Sequence, residues 1–218
     1  MSASVDLKIA RKIVRYRQLG EEIKLRRSDA LRVYRPQKNQ TPFHKSLASE
    51  RVVRGGNRSG KSIAAAAEFA AAVTGTCLRD HEGKVIPNKY PAKVALEAWV
   101  FGYDAMHIGK TIFKLLFLPG LFKTIIDEDD GELRTYDPGD KDRDRPETDI
   151  IPSRPLIEER FLEGESMDKA FSWDNKGERI FTVCRLKNGT LIRGWSSKGR
   201  CPMGDAVDIV WIDEDIED

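Results

Sequence analysis

Eight consecutive residues carry the densest chemistry in the chain: Gly55, Gly56, Asn57, Arg58, Ser59, Gly60, Lys61 and Ser62. They fit G-x-x-x-x-G-K-[ST], a loop whose backbone N–H groups surround the phosphates of a nucleotide. The spacing has a physical cause. Gly55 and Gly60 let the chain fold tightly against phosphate oxygens with no Cβ in the way, and a helix opening directly afterwards adds the partial positive charge of its N-terminus. In such a loop Lys61 reaches the β and γ phosphates and Ser62 offers a hydroxyl ligand to Mg²⁺. A second group closes the sequence. Ile209-Val210-Trp211-Ile212 is an apolar run that ends on Asp213 and Glu214, placing two carboxylates at the C-terminal end of a buried strand, where open α/β sheets bind ligands. There Asp213 would hold Mg²⁺, and Glu214 would act as a general base polarising water for attack on a γ phosphate. The paired acids favour hydrolysis over transfer to a substrate hydroxyl. A third group, Gln40-Thr41-Pro42-Phe43-His44, offers an amide able to meet both donor and acceptor edges of adenine and a ring able to stack. His44 itself reads as an ordinary surface or capping residue.

These groups need a strand before the loop, a helix after it and a buried strand ahead of the acids. Arg51 to Arg54 supplies a short β-branched run that stops at Gly55-Gly56, and from Lys61 the alanine-rich stretch to Val73 is strongly helix-forming. Residues 93–102 predict another buried strand, and 104–117 a helix ending before Pro119-Gly120. This alternation predicts a parallel sheet with helices on both faces. Asn188-Gly189, between β-rich runs at 179–185 and 190–195, predicts a hairpin. Ahead of the core, residues 5–33 have helical spacing, with a break expected at Gly20 and an end before Pro36; residues 35–41 read as an irregular lead-in. The polar segment 127–149 predicts a surface loop. Its Asp140, Asp142 and Asp144 begin like a calcium loop, but Arg145 stands where glycine is needed and Ile151 where a glutamate should close the shell.

The chain has 218 residues, enough for one sizeable core. No window approaches the roughly 18 uncharged apolar residues of a membrane span, and the amino end lacks the apolar core of a secretory signal. Cys77, Cys184 and Cys201 form neither a C-x-x-C pair nor an even set and read as buried thiols. The net charge of +2 conceals an asymmetry: residues 1–61 hold 16 Lys and Arg against 5 Asp and Glu, or +11, and the rest 21 against 30, or −9. The basic leading segment suits either a phosphate backbone or an ordinary solvated helix face.

Taken in order, Gln40-x-x-Phe43-His44, the loop 55–62, the hairpin with Asn188 to Ser197, Gly204 and the acidic strand 209–214 resemble the ATPase domain of tailed-bacteriophage terminase large subunits, from about residue 35 to the end. The resemblance implies an α/β P-loop NTPase of the RecA-like, ASCE type: a mainly parallel sheet between helices, plus a β-hairpin. Residues 1–34 would form a basic N-terminal helical segment and 35–218 the ATPase core. It further implies a motor that uses ATP and Mg²⁺ to drive double-stranded DNA into procapsids in the host cytoplasm. The implied partners are the portal protein, the small terminase subunit and further copies of the chain in a ring, with no membrane. Lys61 and Ser62 match the family's phosphate and magnesium positions, Asp213 the metal-holding acid, Glu214 the catalytic base and Gln40 the adenine contact. Many terminases carry an arginine four residues before the loop lysine. Here Asn57 takes that position and Arg58 follows, so Arg58 is the candidate for stabilising transition-state charge. The family continues past the acidic strand into a coupling strand and a nuclease domain, so a truncated chain, no nuclease activity and weak turnover are expected. The alternatives are a helicase-like or recombination-type translocase and a non-hydrolysing ATP-binding assembly module.

Overall fold

The apolar runs of the sequence become strands of a five-stranded mixed sheet. The computed structural model describes residues 2–56, 59–90, 94–139, 142–199 and 206–213. Its helices are α1 (Ser2–Arg27), α2 (Ala30–Val33), α3 (Thr41–Lys45), α4 (Lys61–Thr74), α5 (Ala105–His107), α6 (Lys114–Phe117) and α7 (Met167–Ala170), with a π-helical stretch, Ile108–Phe113, joining α5 to α6. The strands are β1 (Leu78–Arg79), β2 (Val85–Ile86), β3 (Glu97–Gly102), β4 (Lys123–Ile126), β5 (Leu133–Thr135), β6 (Ile151–Pro152), β7 (Phe171–Asn175), β8 (Ile180–Arg185), β9 (Leu191–Ser196) and β10 (Ile209–Ile212). The main sheet runs β10-β3-β9-β8-β7; β10, β3 and β9 are parallel, whereas β8 and β7 are antiparallel additions. The architecture is α/β. β8 and β9 form the expected hairpin around Asn188-Gly189.

The register assigns each face. Ala98, Val100 and Gly102 of β3 align with Ile192, Gly194 and Ser196 of β9, and Ala98 and Val100 with Ile209 and Trp211 of β10, so these side chains share one side of the sheet. Against it pack the alanine-rich α4, through Phe69 on Trp211 with ring centroids 5.8 Å apart, and the helix of residues 105–117, whose Ile108 lies over Gly194. Small side chains at Ala66, Ala67, Ala70 and Ala71 bring α4 close to the core. Phe113, Phe117, Phe171 and Phe181 fill the far end with mutually tilted rings.

Two contacts fix the direction of α4. Asn188, just ahead of β9 at the N-terminal end of the parallel strands, donates from Nδ2 to the Val73 carbonyl at 2.9 Å. Phe69, one turn earlier in the helix, meets Trp211 near the C-terminal end of β10. α4 therefore runs antiparallel to β3, β9 and β10, and its first turn lies toward the C-terminal ends of the strands.

Several expectations are corrected. Arg51 to Arg54 is not a strand: Val52 is 80% exposed, and the Arg51 guanidinium turns to Glu68 at 2.7 Å and over the Phe43 ring. Two valines bury too little apolar surface to hold this segment in a sheet. Gly20 does not break α1, because one glycine costs only about 1 kcal/mol in a helix of good formers. Helices do not cover both faces of β10: on the side opposite α4, Val210 and Ile212 are about half exposed, beside the edge-to-face rings of Trp99, Phe101 and Trp195. The segment 127–149 is more than a surface loop. It contributes β5 to a small sheet ordered β5-β4-β6, and the fully buried Asp142 carboxylate takes a bidentate pair of bonds from Arg134, at 2.6 and 2.7 Å. Cys184 is buried, which pushes its thiol well above its usual range, but Cys77 is exposed. Cys201 lies outside the described residues. Among the described residues no helix is long and apolar enough to cross a membrane.

His44 is not a surface residue either. It is fully buried, with Nε2 3.3 Å from the Tyr34 hydroxyl and Nδ1 2.9 Å from Glu68. Glu68, on the outward side of α4, also accepts from Arg51 and Lys89, each at 2.7 Å. Burial opposes ionisation of Glu68, but hydrogen bonds from His44, Lys89 and Arg51 outweigh it and hold the carboxyl at about 2. A carboxyl held low in the folded state stabilises the fold above its ordinary value of 4.5, and that contribution fades as pH falls through 4.5 toward 2. Thermal melts across this window should therefore show wild-type stability dropping. Glu68→Gln should be less stable at neutral pH by on the order of 2–3 kcal/mol and should show a flatter acid limb. An unchanged acid limb in the variant would remove Glu68 from the acid sensitivity.

Candidate functional site

The glycine loop closes on itself. Gly60, the residue before α4, has φ 78° and ψ 16°, a left-handed conformation, and a Cβ there would fall 2.8 Å from Gln40 Nε2. Having no side chain, Gly60 leaves the first-turn amides of α4 without a side-chain cap, so these donors and the helix dipole stand available to an anion. Lys61 folds back over the loop and donates to the carbonyls of Gly55 and Gly56 at 2.7 and 3.0 Å. Ser59 Oγ is buried with no hydrogen-bond partner. An orphaned buried hydroxyl, uncapped amides and a nearby ammonium are the donor set a polyphosphate requires.

Gln40 braces this loop from behind. Its Oε1 accepts from Gln37 N at 2.9 Å, and its Nε2 donates to the carbonyls of Ser59 and Gly60 at 3.2 and 3.3 Å. Both ends of the amide expected to read adenine are thus engaged with backbone. Gly60→Ala should cost both backbone strain and this brace. The expected outcome is at least tenfold weaker nucleotide binding, read by titration with a fluorescent ATP analogue, together with a melting temperature lowered by a few degrees by the strain.

The acidic strand delivers Asp213 to the same side of the sheet as α4. Its amide donates to the Phe101 carbonyl at 3.1 Å, extending the β3–β10 pairing by one residue, and it is only 8% exposed. Asp213 Oδ2 lies 3.1 Å from Nε2 of His107. His107 is positioned by its own helix: the Asp104 side chain caps α5 by accepting from the His107 amide at 2.8 Å. It also depends on Gly102, where a Cβ would come within 3.0–3.1 Å of the imidazole and Cβ of His107. Beside it, Ser197 at the end of β9 donates to the Tyr103 carbonyl, and the Lys198 ammonium sits 3.9 Å from the centroid of the Tyr103 ring. The C-terminal ends of β3, β9 and β10 thus converge on one patch carrying a carboxylate, an imidazole and an ammonium.

Lys61 and Ser62 belong to this end of the molecule. From the Phe69–Trp211 contact, Ser62 lies seven residues toward the start of α4, about 10 Å along the helix. Asp213 lies two residues onward in β10, about 7 Å in the same direction. Both therefore lie beyond that contact in the same direction, on the face of the sheet that α4 covers. Oxygen donors of this kind suit Mg²⁺, which keeps few protein ligands and completes its shell with phosphates and water. Among the described residues no three His, Cys, Asp or Glu side chains form a metal cluster.

Asn57, Arg58, Gly204 and Glu214 lie outside the described residues. Sequence reasoning missed His107 and Lys198. For His107 a signal existed: an Asp three residues ahead of it, at a helix start directly after a buried strand. Comparisons with protein-family models, with curated proteins and with solved structures find no match.

Proposed function

We propose that the chain is a P-loop ATPase in which Lys61 and Ser62 hold the phosphates and the cation of Mg·ATP opposite Asp213. The observation that carries this reading is the direction of α4, which brings the glycine loop and Asp213 to one end and one face of the sheet. Lys61 would exchange its loop carbonyls for phosphate oxygens. Ser62 and Asp213 would hold Mg²⁺, whose role is to neutralise developing charge on the phosphates. Glu214, next in the chain after Asp213, would take the proton of the attacking water, and Arg58 would stabilise charge on the transferring group.

Within that class, the ordered motifs support the ATPase domain of a terminase large subunit, an ATP-driven motor that packages duplex DNA into procapsids. The basic leading segment supports a DNA phosphate contact: residues 12–19 of α1 are exposed, and at its root Arg27 pairs with Glu132 at 2.6 Å. Phosphate release measured alone, with duplex DNA and with procapsids tests the reading. The motor should be stimulated by DNA and procapsid together. Strand separation would favour a helicase-like translocase, binding without stimulated turnover would favour an assembly module, and no ATP binding would overturn the P-loop reading itself.

A further inference from the structure

We propose that His107 is a positioning residue for the cation site: its Nε2–H holds Oδ2 of Asp213 and so commits the carboxylate to a rotamer that leaves Oδ1 for Mg²⁺. The proposal rests on the P-loop reading above and adds to it a residue that no sequence motif contains.

Four observations carry it. The imidazole Nε2 and Asp213 Oδ2 are 3.1 Å apart, with both side chains largely buried, at 12% and 9% exposure. A hydrogen bond to a carboxylate in so dry a place is strong and directional. The backbone that carries the ring is fixed, because its N–H is held by Asp104, and the first turn of α5 continues without interruption into the π-helical stretch that packs on β3, β8 and β9. The neighbouring strand is cut back to make room for the ring, since Gly102 is the residue at which a Cβ would press on His107. Finally, this contact is the side-chain hydrogen bond that Asp213 makes among the described residues. Outer partners of this kind orient metal-holding carboxylates, and their loss typically lowers metal affinity by 10- to 100-fold.

The measurement is Mg²⁺-dependent binding of a fluorescent ATP analogue to the whole chain, with Mg²⁺ titrated at fixed nucleotide. His107→Leu should raise the Mg²⁺ concentration for half-maximal binding by about tenfold while leaving metal-free nucleotide binding unchanged. His107→Gln, whose Nε2 amide takes the place of the ring Nε2–H, should recover most of the loss. A purely structural role would lower metal-free and metal-dependent binding together and show no rescue, and that result would overturn the proposal. Wild-type protein that binds no Mg·ATP at all would overturn the P-loop reading and this inference with it, whereas wild-type Mg·ATP binding with an unshifted His107→Leu curve would overturn the inference alone. Should His107→Leu fail to fold, ¹⁵N spectra of the wild-type imidazoles, of which there are three in the sequence, give an independent test. The proposal requires a proton on Nε2 of His107, and a ring with Nε2 bare would contradict it.

Discussion

Lys61→Ala should lose most of the affinity for nucleotide while leaving the fold intact. Among the described residues the side chain donates to the carbonyls of Gly55 and Gly56, at the exposed surface of the loop, so its loss breaks no buried pair there. With nucleotide present, the ammonium would donate charge-assisted bonds to phosphate oxygens, each contributing about 1.5–3 kcal/mol. One to two such bonds correspond to a loss of affinity between about 10-fold and about 10⁴-fold. Calorimetric titration with Mg·ATP checks the affinity and a thermal melt checks the fold. Retained affinity with an intact melt would mean that the loop does not hold phosphates.

Glu214→Gln has the opposite profile. Glutamine keeps the size and hydrogen-bonding reach of the side chain but cannot accept the proton of the attacking water. Binding of Mg·ATP should persist, and phosphate release should fall by 10²–10⁴-fold, the usual contribution of a positioned general base. The pair of variants separates the two halves of the site, with one losing binding and the other losing chemistry. Equal turnover in Glu214→Gln and wild type would remove Glu214 from the mechanism and leave the assembly-module alternative in its place.

The elements that carry the candidate site were legible in the sequence where local chemistry dictates them. The alanine run after Lys61 has no good alternative to a helix, Asn188-Gly189 has few alternatives to a tight turn, and the apolar run 209–212 ahead of two acids belongs in a sheet. What the sequence hides is pairing at long range. Nothing in the residues near Glu68 announces that His44, Arg51 and Lys89, from three separate segments, converge on it. Without that convergence Arg51 reads as the start of a strand and His44 as solvated. The same holds for strand order. The antiparallel β8 and β7 extend the parallel strands because β8 is tied to β9 by the hairpin, and only the register of β9 on β3 reveals which side of the sheet faces α4. The polar composition of 127–149 suggested solvent, yet Arg134 satisfies both oxygens of Asp142 and allows that carboxylate to be buried. His107 escaped notice because its partner, Asp213, is 106 positions away.

The account depends on one Mg·ATP being shared by the first turn of α4 and the end of β10. A structure determined with Mg²⁺ and a non-hydrolysable ATP analogue tests this most directly. The account predicts the triphosphate in the loop of residues 55–62, with the cation bound by Ser62 Oγ and held by Asp213 directly or through water. A nucleotide bound elsewhere, or a cation with no contact to either Ser62 or Asp213, would contradict it.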